Sequence, residues 1–132
     1  MQSPKNKKIW IPSGTKWGKT VGYSRAVRIG NSVFVSGTVA VNNGKIIGKN
    51  DAYTQAVFIL KKIEKALKQA GASMNDVVRT RIFTTDISQW KKIGKAHGEF
   101  FKKIQPATTM VEVKSLIEPG LLVEIEADAI VK

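Results

Sequence analysis

The chain has no cysteine and only one histidine, His97, among its 132 residues. Without cysteine, disulfide bonds and thiolate chemistry are excluded. The usual ligands of a zinc site are also missing, so we predict no metal site. A Ser-His-acid triad is poorly supported, because no Gly-x-Ser-x-Gly turn is present.

Long apolar runs are also missing. No segment approaches the ~18 apolar residues of a membrane-spanning helix, and no apolar stretch of signal-peptide length follows the charged residues 1–8. We therefore expect a cytoplasmic protein without a membrane partner. A length of 132 residues with 42% hydrophobic content fits one domain, residues 1–132, that buries a core. Residues 1–19 are expected to form an N-terminal arm or a short strand and loop.

Negative charge is scarce, since the chain has ten acidic residues but 22 lysines and arginines, and its formal net charge is +12. Such a charge attracts polyanions. Nucleic-acid readers, however, typically use arginine forks and exposed aromatic residues. The arginines here are only Arg25, Arg28, Arg79 and Arg81. Lysines at the spacing of an exposed helix face include Lys61, Lys62, Lys65 and Lys68. A solvated lysine surface is therefore favoured over a nucleic-acid site.

Residue alternation, helical periodicity and turn residues predict an α+β fold with the element order β-β-β-α-β-α-β-β. The predicted strands cover residues 23–29, 33–37, 45–47, 77–85, 105–113 and 121–131. Tight turns are predicted at residues 30–32 and 42–44. The first helix is expected to begin at Asn50 or Asp51 and to end at Gly71. The second is expected to cover residues 88–103.

Two of the predicted strands have distinct faces. In the strand at 77–85, one face is predicted to carry Arg79, Arg81 and Phe83, and the other Val78, Thr80, Ile82 and Thr84. In the last strand, three acidic residues about 6.6 Å apart share the face opposite an apolar one. They are Glu124, Glu126 and Asp128. Either they form an ion-pair ladder with Arg79 and Arg81, or one of them orients water or moves a proton in a cleft.

The second helix carries His97 and two glycines. His97 lies on the apolar stripe with Ile93 and Phe101, so we expect a buried or half-buried structural histidine. Gly94 and Gly98 are four residues apart, and each costs about 1 kcal/mol relative to alanine inside a helix. The pair indicates the close approach of another backbone or of a ligand, and close packing is the favoured cause.

Four segments carry a resemblance to a known family. They are GYSRAVRIGNSVFVSGT at 22–38, DVVRTRIFTTD at 76–86, PATTMVEV at 106–113 and VEIEA at 123–127. In this order, and over about residues 20–132, the chain resembles the reactive intermediate deaminase family, also called RidA or YjgF. The resemblance implies a chorismate-mutase-like α+β fold, with a mixed sheet and two helices on one face. It also implies a homotrimer with ligand clefts between neighbouring subunits.

Characterised members of that family hydrolyse imines and enamines, such as 2-aminoacrylate, without a cofactor. The resemblance implies that Tyr23 and Ser36 line the ligand pocket. It also implies that Glu124 is the catalytic group that assists the movement of water or a proton.

Three pocket positions depart from the family pattern. Thr108 stands where the carboxylate-binding arginine is expected, Gly94 where a pocket asparagine occurs, and Met110 where cysteine is frequent. A lost charge-assisted pair costs about 2–5 kcal/mol of binding, so ordinary 2-imino acid deamination is not expected. The chain is similar to arginine-lacking branches in which Gly-Tyr-Ser-Arg, Ala-His-Gly-Glu and Pro-Ala-Thr-Thr-Met-Val-Glu-Val recur. Arg25, two residues after Tyr23 on the same strand face, is a candidate replacement cation.

Three functions are compatible with these observations. The leading hypothesis is a homotrimer that binds a small metabolite in its intersubunit clefts and hydrolyses an imine, an enamine or a related C–N bond. The alternative is a non-catalytic small-ligand-binding or interaction protein. An RNA-directed role, as a translation inhibitor or endoribonuclease, is less favoured, because the chain lacks the histidine pair or metal cluster usual for RNA cleavage.

Overall fold

The computed structural model describes residues 7–132, so the first six residues of the predicted N-terminal arm lie outside the described residues. The strands are β1 (Ile9–Ile11), β2 (Ala26–Ile29), β3 (Ser32–Val39), β4 (Val41–Asn42), β5 (Lys45–Ile46), β6 (Val77–Thr84), β7 (Ala107–Glu112) and β8 (Val123–Ile130). The α-helices are α1 (Ala52–Gln69) and α2 (Trp90–Phe101). A π-helical turn, Gly18–Gly22, follows β1.

Six of the strands form one mixed sheet in the order β1-β2-β3-β8-β6-β7. Neighbouring strands are antiparallel except for β6 and β7, which run parallel because α2 connects them. Strands β4 and β5 pair separately as a hairpin. Helix α1 packs on β3 and β8 and also against α2. The predicted α+β architecture, with its helices on one face of the sheet, is confirmed.

Both tight turns form where the sequence predicts them. The turn between β2 and β3 begins at Gly30, which has a φ of 58°. Asn43 and Gly44, between β4 and β5, have φ values of 52° and 77°. Glycine and asparagine tolerate this left-handed region, and two-residue hairpin turns require it.

Helix α1 follows the predicted boundaries. The Asp51 side chain accepts a hydrogen bond from the Thr54 backbone N–H at 3.1 Å and caps the first turn. Gly71, with a φ of 78°, follows the last turn. The whole predicted stripe is buried; it comprises Ala56, Leu60, Ile63, Leu67 and Ala70. These side chains cover β3 and β8 and form the centre of the core.

Helix α2 begins later than predicted. Asp86 accepts a hydrogen bond from the Ser88 backbone N–H at 3.0 Å and caps a short 3-10 turn, Ile87–Gln89, so α2 starts only at Trp90. A β-carbon added at Gly94 or Gly98 would meet no atom within 4 Å. Within the described chain, no other element therefore packs closely against these two glycines, and the approach of another backbone or of a ligand stays a prediction. Within residues 7–132, neither helix has the length and apolar composition needed to cross a membrane.

Strand β6 departs from simple alternation at Val78. The residues on either side, Val77 and Arg79, pair with consecutive residues of β8, so Val78 is the extra residue of a β-bulge. Val78 is exposed, whereas Thr80, Ile82 and Thr84 are buried. Placing Val78 on their face was wrong, because a bulge shifts the alternation by one residue.

Candidate functional site

A second β-bulge, in β3, shapes the part of the sheet next to the candidate site. Ser36 and Gly37 lie between Val35 and Thr38, which pair with β8 residues only two positions apart. The Ser36 hydroxyl donates a hydrogen bond to the Ser24 carbonyl at 2.6 Å. The bulge also turns the Gly37 carbonyl toward the Arg25 guanidinium, which donates to it at 2.9 Å.

A cavity of about 200 Å³ opens beside this bulge. Its lining combines apolar side chains, among them Trp17, with a small number of polar groups, as small-molecule sites usually do. The polar side chains that line it belong to Thr15, Tyr23, Arg25, Lys62 and Glu124. Three of the predicted site residues are thus brought together: Tyr23, Arg25 and Glu124.

Glu124 is the only carboxylate in this lining. The residue is half-buried on β8, opposite Val39 on one side and Phe83 on the other. Burial raises the pKa of the Glu124 carboxyl above its ordinary value, and the neighbouring Glu126 carboxylate adds to the increase, while the positive charge of Arg25 opposes it. A carboxyl group with a raised pKa suits proton transfer near neutral pH.

Arg25 is only 6% exposed, and its guanidinium is engaged within the chain. One terminal nitrogen donates to both the Gly37 carbonyl and the Thr38 hydroxyl at 2.9 Å. The other terminal nitrogen donates to the Tyr23 hydroxyl at 3.4 Å, and Nε donates to the Ser13 carbonyl at 3.4 Å. Arg25 therefore stabilises the cavity wall and supplies positive charge, but its guanidinium is not free to form a bidentate ion pair with a carboxylate.

Lys62 lines the same cavity, although its spacing predicted a solvated helix face. Its ammonium group donates a hydrogen bond to the Val41 carbonyl at 3.1 Å. Burial lowers the pKa of Lys62, and the positive charges of Arg25 and Lys65 act in the same direction. The interpretation as a solvated face does not hold for Lys62, because the residue is half-buried and its ammonium group is bound to the Val41 carbonyl.

A second set of predicted residues, Thr108, Met110 and Gly94, lies outside this cavity, and Ser36 lies beside it on the β3 bulge. Thr108 and Met110 lie on β7, and Gly94 lies on α2. In the register of the sheet, Thr108 stands beside Thr80, whereas Glu124 stands beside Phe83. Thr80 is buried under the helices and Phe83 lies on the other face, so Thr108 and Glu124 point to opposite faces of the sheet. Within one chain, the two groups do not meet.

Thr108 is linked to His97 through Thr80. The Thr80 hydroxyl oxygen lies 2.8 Å from the Thr108 hydroxyl oxygen and 2.9 Å from His97 Nε2. His97 packs on Phe101 with a ring-centroid distance of 4.6 Å, and burial lowers the pKa of its imidazole. The expected half-buried histidine is confirmed, and it has a specific polar partner.

The acidic face of β8 divides into two parts. Arg81 forms ion pairs with Glu126 at 3.2 Å and Asp128 at 3.3 Å. Among the described residues, neither Arg79 nor Glu124 belongs to such a pair. The ion-pair ladder thus accounts for two of the three acids, and the cleft interpretation remains for Glu124.

Sequence reasoning missed several lining residues. Thr15 and Trp17 belong to the segment predicted only as an N-terminal arm or a short strand and loop, and Lys62 belongs to a lysine-rich helix face. Thr80 carried a usable signal, since a threonine between apolar residues on a buried strand face needs a hydrogen-bond partner.

Comparisons with known proteins agree with this architecture. The family model described as Endoribonuclease L-PSP matches residues 15–131. A RutC family protein of Pyrococcus abyssi is 35% identical over 114 residues, which cover 84% of this chain and 88% of that protein. A Mycobacterium tuberculosis structure, a member of the YjgF/YER057c/UK114 family, is 51% identical with a TM-score of 0.86 and covers 95% of this chain and all of that one.

A further solved structure, E. coli TdcF with bound serine, is 29% identical with a TM-score of 0.76, and the match covers 83% of this chain and 88% of that one. The mixed sheet with helices on one face is the chorismate-mutase-like fold expected from the resemblance. The chain belongs to the RidA/YjgF family, whose family model is described as Endoribonuclease L-PSP.

Proposed function

We propose that this protein, as a single domain over residues 1–132, binds a small polar metabolite and hydrolyses an imine, an enamine or a related C–N bond. The observation that carries the proposal is the half-buried Glu124 carboxyl, which shares a cavity with Tyr23, Arg25 and Lys62. A relative crystallised with bound serine supports a small polar ligand. The chemistry needs no cofactor.

The reaction needs a proton to be removed from water and a proton to be delivered to nitrogen. In the proposed step, the Glu124 carboxylate takes a proton from a water molecule while the water oxygen attacks the C=N carbon. The same proton is then passed to nitrogen, which gives a carbinolamine. Glu124 next takes the hydroxyl proton of the carbinolamine and passes it to nitrogen as the C–N bond breaks, so that a carbonyl compound and ammonia leave. One imine and one water thus give one carbonyl compound and one ammonia. A carboxyl whose pKa is raised by burial suits both transfers.

The complete site is proposed to lie between two subunits of a homotrimer. We call the cavity-lining residues Tyr23, Arg25, Lys62 and Glu124, together with Ser36 on the adjacent bulge, the carboxylate half-site. Gly94, Thr108 and Met110 are the threonine half-site. Thr108 and Glu124 point to opposite faces of one sheet, which supports a site whose missing half comes from a second copy. Exposed apolar residues on the helix-free face, Phe34 and Ile130, support such an assembly.

The test is hydrolysis of freshly generated imines, followed by release of ammonia. We expect the wild type to accelerate the hydrolysis of neutral imines, and Glu124→Gln to slow it by about 10²-fold or more, the usual effect of removing a general acid–base group. The carboxylate-bearing 2-iminobutyrate serves as the control and should react poorly, because Thr108 supplies no positive charge. Equal rates with the wild type and with buffer for every imine would overturn the proposed catalysis.

A non-catalytic ligand-binding function is the second candidate. It is favoured by the guanidinium of Arg25, which is committed to Gly37, Thr38, Tyr23 and Ser13 and not free for a ligand. Calorimetric titration with carbonyl compounds, together with the hydrolysis assay, distinguishes the catalytic function from the non-catalytic one. Binding without turnover supports the second candidate, whereas turnover that depends on Glu124 supports the first.

A further inference from the structure

A chain of three hydrogen bonds runs from α2 to the position at which the family's arginine is expected. His97 Nε2 lies 2.9 Å from the Thr80 hydroxyl oxygen, which lies 2.8 Å from that of Thr108. The Thr108 hydroxyl in turn donates to the Pro106 carbonyl at 3.1 Å. Thr80 is fully buried, whereas Thr108 is exposed, so the chain links the interior to the surface.

The direction of these bonds follows from the number of protons. A carbonyl oxygen only accepts, so the single hydroxyl proton of Thr108 is committed to Pro106. Thr80 must then donate to Thr108, which commits its own proton as well. His97 must therefore donate from Nε2, and packing against the tilted Phe101 ring helps to hold the imidazole in place. With all three bonds formed, the Thr108 oxygen keeps one lone pair and has no proton to offer outward.

We infer that His97, acting through Thr80, positions the Thr108 hydroxyl as a hydrogen-bond acceptor toward the ligand, so that the ligand group bound there is an N–H donor, such as a primary amide, and not a carboxylate. The inference rests on the proposed function, in which Thr108 belongs to the ligand cleft. An arginine at this position would offer several donors and a positive charge. Thr108 offers an acceptor lone pair in place of those donors. A carboxylate has no proton to donate to it, and the carboxylate oxygens would face this lone pair.

Helix α2 leaves room for such a group at Gly94, another residue of the threonine half-site. Gly94 lies one helical turn before His97 on the same side of α2, and a β-carbon added there would meet no atom within 4 Å. A small uncharged group can therefore approach the α2 backbone at Gly94. The substrate class that follows is a neutral imine or enamine that carries an amide or a comparable N–H group.

The binding test uses two stable carbonyl compounds that differ only in this group, 2-oxobutyramide and 2-oxobutyrate. By calorimetry on the full-length protein, we expect the amide to bind the wild type about tenfold more tightly, the effect of one neutral hydrogen bond against an unpaired group. Thr108→Val keeps the shape, removes the oxygen and should abolish the preference. Thr108→Arg should reverse it.

The second readout is the tautomer of His97, measured by nitrogen-15 NMR of the imidazole, which is unambiguous because the chain has one histidine. We expect the neutral ring to carry its proton on Nε2. His97→Gln retains an N–H donor at a similar position and should keep the amide preference, whereas His97→Leu should lose it.

An Nδ1–H tautomer, or tighter binding of 2-oxobutyrate, would overturn the inference while leaving the proposed function intact. Failure of both compounds to bind would contradict the proposed function and, with it, the ligand class. The tautomer would then still decide the orientation of the Thr108 hydroxyl.

Discussion

The Glu124 carboxylate occupies the space that a side chain on residue 37 would fill. An ideal β-carbon built on Gly37 would lie 2.5 Å from Glu124 Oε2 and 3.0 Å from its carboxyl carbon. The β3 bulge brings Gly37 to this place, so the absence of a side chain at one residue sets the position of the carboxyl at another. Gly37 therefore belongs to the candidate site although it offers no side-chain chemistry.

Gly37→Ala should move the Glu124 carboxylate without unfolding the protein. The clash falls on the flexible end of a glutamate, and Gly37 is not among the residues with positive φ, so alanine can adopt its backbone conformation. We expect the free energy of unfolding to change by less than about 1 kcal/mol and hydrolysis to fall about tenfold or more. Unfolding and turnover measured on the same preparation check this. Unchanged turnover would show that the position of Glu124 is not critical.

The raised pKa of Glu124 makes a signed prediction for stability. The folded protein keeps this proton to a higher pH than the unfolded chain does, whose ordinary value is 4.5. The stabilising contribution is therefore complete below pH 4.5 and is lost as the pH rises through the folded-state pKa. Because Glu124→Gln removes this titration, the wild type should lose stability relative to the variant as the pH rises from 4.5 toward neutrality. Denaturant unfolding at several pH values tests this, and parallel curves would contradict it.

Arg25→Met should destabilise the protein. The substitution leaves the buried Thr38 hydroxyl and the Gly37 carbonyl without their donor, and a buried unsatisfied group costs about 1–3 kcal/mol. We expect a loss of about 2–3 kcal/mol in the free energy of unfolding. Lys61→Met, which removes one positive charge from the exposed face of α1, is the control and should change it by less than about 0.5 kcal/mol. Similar values for both variants would show that the hydrogen bonds of Arg25 contribute little.

Gly94→Ala should stabilise the folded chain. The residue lies inside α2, its φ is not positive, and an added β-carbon meets nothing within 4 Å. Alanine is favoured over glycine in a helix interior by about 1 kcal/mol, so thermal unfolding should shift upward by a few degrees. A lower melting temperature would mean that this face of α2 is tightly packed against another copy of the chain.

Local features of the fold were predictable because they depend on neighbouring residues. The cap at Asp51, the stop at Gly71 and both hairpin turns follow from backbone preferences within a few positions. The two bulges were not predictable, since the pairing with β8 decides which residue of β3 or β6 stays without a partner in the ladder. Val78 was therefore placed on the wrong face.

The candidate site was predictable only in part. Tyr23, Arg25 and Glu124 do line one cavity, but Lys62 was assigned to solvent because helix periodicity does not show that its ammonium group binds the Val41 carbonyl. The separation of Thr108 from Glu124 was also hidden, because it depends on the register of β7 and β8 across β6. Sequence motifs name these residues without showing which face of the sheet each one occupies.

The central claim, that the two half-sites meet between subunits, is tested most directly by mixing two inactive variants. Glu124→Gln inactivates the carboxylate half-site, and Gly94→Trp fills the open space of the threonine half-site. If sites form between subunits, refolding the two variants together in equal amounts should pair intact halves from different chains and restore about a quarter of wild-type hydrolysis, as random assembly of a cyclic trimer requires. If the mixture stayed as inactive as each variant alone, although mixed oligomers had formed, the account would be contradicted.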